Sequence, residues 1–186
     1  HAISHLPPLR AGETDNADPD HTSPMLLPQT LERLQAIPKD GGSWTDLIGH
    51  PNSDRLLTPA MKRFIAKGQL TSHRDVYGRL YWDRPCVTIK RECSHVGNGR
   101  YSHPEQDRLC TVRELAILAG FPSTYRFVGR SLSNKYRHIG DACPPLISFQ
   151  LAHVCYWALT GEKPDIADCI LPDTTLKPEH IIALPA

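Results

Sequence analysis

The 186-residue sequence predicts an α+β fold, in which a small β-rich region with short helices precedes two longer C-terminal helices. Three observations support this prediction. Aromatic and β-branched residues cluster between residues 77 and 89, as is typical of strands. Residues 111–119 and 145–161 have the start and stop signals of helices. Hydrophobic residues make up 40% of the chain, which is enough to build a modest core.

The N-terminal part alternates irregular segments with short predicted elements. Residues 1–28 are rich in proline, aspartate, serine and threonine and predict an irregular connector. A helix is predicted from Pro28 to Ile37, because leucines recur on one stripe and a proline follows. Two strands are predicted at residues 78–82 and 86–89, with the break between them at Asp83-Arg-Pro85.

The first C-terminal helix is predicted from Thr111 to Ala119. Thr111 and Glu114 have the spacing of a capping box, in which each side chain accepts a hydrogen bond from a backbone N–H of the first turn. Gly120 and Pro122 follow as termination signals. The sequence therefore predicts well-defined ends for this helix.

The second C-terminal helix is predicted to begin after Pro144-Pro145 and to end at Gly161. Its apolar residues cover most of the circumference, so the helix must be buried on more than one side. The rest of the chain offers little surface to bury it, which predicts a missing partner domain. Residues 161–186 are punctuated by prolines and predict an extended tail.

The net charge of +1 conceals an uneven distribution along the chain. Residues 62–137 contain 15 lysines and arginines against 6 acidic residues, whereas the segments on either side are each acidic by four charges. A basic middle segment is expected of a protein that faces nucleic acid. A solvated basic surface would give the same charge pattern, so charge alone leaves both interpretations open.

Six scattered cysteines do not form the dense pattern of a small disulfide-rich domain, so free thiols in a reducing compartment are expected. Cys93, His95, His103 and Cys110 could be imagined as a zinc site, but their spacing matches no usual ligand pattern. We therefore expect no metal, and ordinary loop residues at these positions. No apolar run approaches the length of a membrane-spanning helix, so no membrane partner is expected.

Several segments, taken in order, resemble the C-terminal half of the DNA (cytosine-5)-methyltransferase family. The end of the family's target-recognition region is matched by Tyr77-Gly-Arg-Leu-Tyr-Trp-Asp83, Thr88-Ile89 and His103-Pro-Glu-Gln-Asp-Arg108. Its ninth motif is matched by Thr111-Val-Arg-Glu-Leu-Ala116 with Gly120-Phe-Pro122, and its tenth by Tyr136-Arg-His-Ile-Gly-Asp-Ala-Cys-Pro-Pro145. The segment Ala2-Ile-Ser-His-Leu-Pro-Pro8 is similar to the family's Ile-x-x-Leu-Pro segment. The resemblance covers roughly residues 1–160.

The resemblance implies four regions. Residues 1–21 would connect to the catalytic domain, and residues 22–108 would form a target-recognition domain that enters the DNA major groove. Residues 109–161 would provide the ninth-motif helix, a tenth-motif loop at the cofactor and a docking helix, followed by the tail at 162–186. The C-terminal helices would dock on a Rossmann-like methyltransferase sheet that lies mostly outside this chain.

The family's chemistry implies that this chain needs a partner. In that chemistry the cytosine is flipped out of the duplex, a cysteine thiolate adds to its ring, and S-adenosyl-L-methionine supplies the methyl group. The motifs for the nucleophile, the base-binding glutamate and the main cofactor site are not found here. Cys86 follows a proline as the nucleophile does, but it lacks the rest of that motif, so we expect a buried structural cysteine.

The chain is therefore expected to contain no catalytic residue and to be inactive alone. Its implied partners are double-stranded DNA and an N-terminal catalytic half, either in the same polypeptide or as a separate subunit. A non-catalytic DNA-binding or scaffolding module derived from the same family, or a tRNA cytosine-5 methyltransferase relative, is the alternative. The expected location is the cytoplasm in a bacterium and the nucleus in a eukaryote, with a role in restriction-modification, regulation or silencing.

The resemblance also assigns site residues. Asp141 and Cys143 match positions that contact S-adenosyl-L-methionine, where the family usually has asparagine and valine. A carboxylate cannot donate the hydrogen bond of an amide, and it would repel the cofactor's carboxylate. Structural roles are expected for Thr111, Arg113 and Glu114. Candidate DNA contacts are polar residues of the recognition region, namely Arg79, Lys90, Arg91, Asn98, Arg100 and Arg108, and arginines near the turn at Gly97-Asn-Gly99 can present a bidentate fork to guanine or phosphate.

Overall fold

A computed structural model describes residues 1–71 and 73–180. In this part of the chain the helices are α1 (Pro28–Ala36), α2 (Ser53–Leu56), α3 (Pro59–Ala66), α4 (Val112–Leu118), α5 (Leu132–Asp141) and α6 (Pro145–Thr160). Single 3₁₀ turns occur at Trp44–Leu47, Val96–Asn98, Ile166–Cys169 and Pro178–His180. None of the described helices is long and apolar enough to cross a membrane.

The predicted α+β class is wrong. Across residues 1–71 and 73–180 no strand forms, and only isolated bridges pair Thr14 with Thr22, Arg79 with Ser102, and Ser102 with Leu109. The segments 78–82 and 86–89, predicted as strands, are irregular. Neither a β-rich recognition domain nor a part of a Rossmann-like sheet is present in the residues described; the region is built from loops and short helices.

Residues 78–82 form only an isolated bridge with Ser102, and buried guanidinium groups satisfy carbonyls of the segments around them. The side chain of Arg79 is fully buried and donates hydrogen bonds to four backbone carbonyls at 2.8–3.3 Å, those of Leu34, Ile37, His103 and Gln106. Arg100 is also buried and donates to the carbonyls of Gly41 and Arg79, at 2.7 Å each. Carbonyls satisfied by side chains in this way need no neighbouring strand.

The side chain of Tyr101 provides hydrogen-bond partners for backbone groups in and next to the segment 86–89. The hydroxyl of Tyr101 donates to the carbonyl of Thr88 and accepts from the N–H of Lys90, both at 3.1 Å. Pro85 begins the segment and has no N–H to offer a ladder. The residues that predicted a strand are therefore extended and partly buried, but the bonds of their backbone do not go to a second strand.

Three predicted helices are confirmed as α1, α4 and α6. At the start of α4, Thr111 Oγ1 accepts from the N–H of Glu114 at 3.1 Å, and Glu114 Oε2 accepts from the N–H of Thr111 at 2.7 Å, as in the predicted capping box. Residues Val112–Ile117 are all buried, so α4 lies at the centre of the core. Gly161 ends α6 in the left-handed region, with φ of 77°.

The sequence analysis did not predict α2, α3 or α5. A signal for α3 exists, because Thr58 caps the helix through the N–H of Met61 and a proline follows it. A weaker signal exists for α5, where Ser131 Oγ accepts from the N–H of Asn134 at 3.2 Å. Helix α5 packs against α4, and its buried Tyr136 donates to the carbonyl of Cys110 at 2.7 Å.

The most buried ion pair joins Arg108 to Glu114. Both side chains are at most 1% exposed, and two parallel hydrogen bonds of 2.7 Å link the guanidinium to the carboxylate. Burial opposes ionisation of Glu114, but the hydrogen bonds and charge of Arg108 outweigh it and hold the pKa of the carboxyl below its usual value. Both groups therefore stay charged in the core.

We predict that Glu114→Gln destabilises the protein by about 3–5 kcal/mol, because Arg108 would remain buried without a counter-charge. The amide would also weaken the cap of α4. Urea denaturation followed by circular dichroism measures this change. The exposed Glu179→Gln is the matched control, and its free energy of unfolding should stay within about 0.5 kcal/mol of the wild-type value. Equal stability of the two variants would contradict a structural role for the pair.

His103 lies beside this pair and is buried in its neutral form. Its Nδ1 accepts from the N–H groups of Glu105 and Gln106, at 3.1 and 3.0 Å. Burial lowers the pKa of His103 from 6.5 to about 4; the carboxylate of Glu114 opposes this shift, and the guanidinium of Arg108 adds to it. An unfolded chain therefore binds a proton at pH 5 that the folded chain does not.

We predict that stability is complete above about pH 6.5 and falls as the pH drops toward 4, by about 1.4 kcal/mol per pH unit from this group. His103→Gln should reduce that slope between pH 6.5 and 5, because glutamine does not titrate. The exposed His138→Gln is the control and should keep the wild-type slope. The measurement is the free energy of unfolding in urea at half-unit pH intervals, and equal slopes in the wild type and His103→Gln would refute this prediction.

Candidate functional site

Three of the six candidate DNA contacts lie in the interior. The side chains of Arg79 and Arg108 are 0% exposed and that of Arg100 is 5% exposed. Arg100 pairs with Asp75 at 2.9 Å, and the other two hold carbonyls and carboxylates of the core. Their guanidinium groups therefore do not face a DNA groove in this structure.

Arg113 is also buried, and it binds the N-terminal connector. Its Nε lies 2.5 Å from Asp18 Oδ2, and its second amino group lies 3.6 Å from Asp20 Oδ2. Burial raises the pKa of Asp18, but the hydrogen bond from Arg113 and the nearby positive charges outweigh it and lower the pKa overall. Lys135 of α5 completes the cluster at 2.7 Å from Asp20. Residues 1–21 are thus fastened to α4 and α5.

The other candidates, Lys90, Arg91 and Asn98, are exposed on one segment at residues 90–98. This segment packs closely against α5. The Cys93 thiol donates to the carbonyl of Tyr136 at 3.4 Å. A side-chain carbon at Gly140 would overlap the backbone of Lys90, so only glycine permits this approach. The structure therefore brings these three exposed residues together and fixes them relative to α5.

A polar pocket of about 430 Å³ opens between the 90–98 segment and α5. Ser133 and Arg137, four residues apart on one face of the helix, form its second wall. The sequence analysis missed both residues because it did not predict α5. The described lining contains two guanidinium groups and one carboxylate, and consists of Arg91, Glu92, Ser94, Asn98, Ser133 and Arg137.

The two candidate cofactor residues lie at the junction of α5 and α6, and both are exposed. Asp141 is the last residue of α5, so the tenth-motif loop implied by the resemblance is limited to the short connection between α5 and α6. Arg91 Nε lies 3.7 Å from Asp141 Oδ2, and both side chains are about half exposed. Asp141 therefore faces the 90–98 segment. Cys143 lies two residues further along the chain, just before α6.

An apolar cleft of about 490 Å³ lies beside this junction. Its walls are the segment 86–89, the end of α4 and the start of α6, and Thr175 of the tail reaches its edge. Most of the lining side chains are aliphatic, including Val87, Ile89, Leu118, Ile139, Leu146 and Ile147. Ile147 belongs to α6, so the cleft and the exposed surface of α6 form one continuous apolar region.

Helix α6 has no buried residue, although 16 residues form it and most are apolar. Leu159 is 87% exposed, Leu151 is 55% exposed and Trp157 is 43% exposed. An exposed apolar surface of this extent on a folded protein indicates an interaction site. Within the described residues α6 contacts the 3₁₀ turn at Ile166–Cys169, but this contact leaves most of its apolar surface exposed, as the sequence predicted for a helix that is apolar all round.

Burial keeps the central thiols protonated. It raises the pKa of Cys86 to about 11 and that of Cys93 to about 12, and it raises the pKa of Cys110 well above its usual value. A nucleophilic cysteine needs the opposite shift. In the part of the chain that the structure describes, no three or more histidine, cysteine or acidic side chains group as metal ligands, so Cys93, His95, His103 and Cys110 do not converge.

The family model and the relatives found by comparison agree on one protein family. The family model of the C-5 cytosine-specific DNA methylases matches residues 19–157, which is more than half of the chain. The type II methylase M.HgiDII of Herpetosiphon aurantiacus is 36% identical over 131 residues, covering 68% of this chain and 34% of that protein. DNA (cytosine-5)-methyltransferase 3 of Arabidopsis thaliana is 33% identical over 170 residues, covering 81% of this chain and 12% of that protein.

DNA (cytosine-5)-methyltransferase 1A of Oryza sativa subsp. japonica is 35% identical over 153 residues, covering 77% of this chain and 10% of that protein. The chain thus spans about a third or less of the length of these relatives. The matched residues include α4, α5 and most of α6, the helices that frame the pocket, the cleft and the helix junction described above. This chain belongs to the C-5 cytosine-specific DNA methylase family.

Proposed function

We propose that this chain is the portion of a cytosine-5 DNA methyltransferase that binds target DNA and closes the S-adenosyl-L-methionine pocket. It would act together with a catalytic portion that supplies the nucleophile. The exposed apolar helix α6 is the observation on which this division of labour rests. The short share of each relative's length that the chain matches is consistent with it.

The catalytic portion is the proposed occupant of the apolar surface on α6. Burying a leucine or similar side chain contributes about 1.5–3 kcal/mol, so several such residues would hold a stable interface. The surface continues through Ile147 into the cleft beside the helix junction. Docking there would bring the catalytic portion next to Asp141 and Cys143, which is where a cofactor shared between the two portions would lie.

DNA binding is proposed for the recognition region, residues 22–108, with the exposed side chains of Lys90, Arg91 and Asn98 toward the duplex. Arginine presents a fork that suits guanine edges in the major groove and phosphates equally well. Arg79, Arg100 and Arg108 would instead keep the loops of the region in shape. The relatives' names describe DNA (cytosine-5)-methyltransferases, and a flipped cytosine in duplex DNA is the proposed substrate here.

The helix junction fits one wall of a cofactor site. Asp141 and Cys143 are exposed there, and the residues between and after them, Ala142 and Pro144, line the apolar cleft. When bound, S-adenosyl-L-methionine would supply the methyl group. The role of this chain would be to cover one side of the cofactor and exclude water from it.

A second candidate function is a non-catalytic DNA-binding or scaffolding module of the same family. One observation favours it. An aspartate stands at position 141, where the family's usual asparagine could donate a hydrogen bond, and its carboxylate is already directed toward Arg91. A member that no longer binds the cofactor would tolerate this residue.

We predict that the isolated chain transfers no methyl group and gains activity when a complementary catalytic portion is added. The part of M.HgiDII that this chain does not match is a suitable complement. The measurement is transfer of a labelled methyl group from S-adenosyl-L-methionine to duplex DNA. The double variant Leu151→Asp with Trp157→Asp should abolish complementation, because it places charges in the proposed interface.

The matched control for that experiment is Lys177→Gln with Glu179→Gln, in the exposed tail, which should complement as the wild type does. DNA binding by both variants should equal that of the wild type. Methylation by the isolated chain, or normal complementation by the charged double variant, would contradict the proposed division.

We predict that Asp141→Asn raises the affinity of the complemented protein for S-adenosyl-L-methionine by about 5- to 10-fold. The change removes a negative charge and restores an amide donor, together about 1–1.4 kcal/mol. Isothermal titration calorimetry measures the affinity, with Asp165→Asn as the control for loss of a surface charge. Unchanged affinity would show that Asp141 does not face the cofactor. No binding heat with either protein would favour the non-catalytic module.

A further inference from the structure

We propose that the polar pocket between the 90–98 segment and α5 binds a backbone phosphate of duplex DNA, with Arg137 as its main charged ligand. This proposal rests on the proposed function, since it assumes that the chain binds DNA. It adds a contact from α5, outside the recognition region at residues 22–108 to which DNA binding was assigned.

The pocket combines the donors that a phosphate requires. Arg91 and Arg137 stand on its opposite walls and can each present two N–H groups to phosphate oxygens. The hydroxyls of Ser94 and Ser133 add neutral donors. Asn98 is held in place, because its Nδ2 donates to the carbonyl of Glu92 at 3.0 Å. Its volume of about 430 Å³ leaves room for a phosphate and parts of the adjoining sugars.

The pocket is formed before any ligand arrives, because its two walls are locked together. Gly140 lets the backbone of Lys90 pack directly on α5, and the Cys93 thiol bonds to the carbonyl of Tyr136. Preformed sites bind more tightly because fewer side chains lose freedom on binding. Ser133 also lies in the first turn of α5, a ten-residue helix, where the helix dipole favours an anion.

The local charge suits one phosphodiester and not a more highly charged ligand. Two guanidinium groups and the carboxylate of Glu92 line the pocket, so its net charge is +1. Arg91 is also shared with Asp141, but that contact of 3.7 Å is half exposed and therefore weak. Arg91 can therefore turn to a phosphate at little cost, whereas no hydrogen bond or ion pair of the Arg137 side chain is seen within the described ranges.

The test compares Arg137→Gln and Arg137→Lys with Arg10→Gln, an exposed arginine of the N-terminal connector that lies outside the proposed DNA-binding region. Binding of the full chain to duplex DNA is measured by fluorescence anisotropy at several salt concentrations. Arg137→Gln should weaken binding about 5- to 10-fold for every DNA sequence tried, and the slope of log K against log salt should fall by about 0.9. Arg137→Lys should keep the wild-type slope, because the charge remains.

The possible outcomes separate this proposal from the proposed function. Salt-dependent DNA binding by the wild type with no change in Arg137→Gln, or an equal loss in Arg10→Gln, would overturn the phosphate site alone. Absence of DNA binding by the wild type would overturn both. Binding of an RNA duplex of the same sequence in place of DNA would overturn the DNA assignment. Circular dichroism and the urea midpoint of each variant confirm that the fold is kept.

Discussion

The buried pair between Arg108 and Glu114 is the interaction on which most of this structure depends. The carboxylate accepts two bonds from Arg108 and one from the N–H of Thr111, so it both neutralises a buried charge and begins α4. The guanidinium also donates to the carbonyl of Leu9 at 3.2 Å. A buried ion pair offsets its desolvation only when its hydrogen bonds are complete, and here they are. One pair thus joins the connector, the recognition region and the central helix.

Guanidinium groups replace a sheet as the scaffold of residues 22–108, the proposed recognition region. Arg79 and Arg100 each collect carbonyls from segments that are far apart in the sequence, and the carboxylates of Asp107 and Asp75 balance their charges. Such a scaffold contains few helices and strands, but its geometry is still fixed. Each N–H of the planar guanidinium points in a defined direction, so each carbonyl it binds is held in a defined place. Loops held this way can present Lys90, Arg91 and Asn98 from a rigid base.

The sequence was sufficient to predict those helices whose start and stop signals lie close to their ends. The capping box of α4, the prolines that start α6 and the glycine that ends it lie within a few residues of the ends they specify. The large exposed apolar surface of α6 could also be predicted, because an all-round apolar helix needs burial on several sides. Membership of the family followed from motifs in order, and the matched range confirms it.

The rest of the fold could not be predicted because it depends on long-range pairing. Residues 78–82 and 86–89 have strand-like composition, yet their backbone partners are isolated groups many positions away, such as the backbone of Ser102 and the side chain of Tyr101. A charge count cannot separate a surface arginine from an interior one. Arg79, Arg100, Arg108 and Arg113 are all buried, so four of the 15 basic residues in the basic middle do not contribute to its surface.

Helix α5 was missed for a related reason, and it links the two parts of the site. Its start depends on a serine cap, and only three apolar side chains, Leu132, Tyr136 and Ile139, mark its packed face. Along one face, Ser133 and Arg137 border the pocket, Gly140 receives the backbone of Lys90, and Asp141 faces Arg91. The proposed DNA and cofactor contacts therefore share one rigid helix, and a shift of α5 by one residue would displace both. Gly140 fixes that register, because any larger residue would push the helix away from the recognition region.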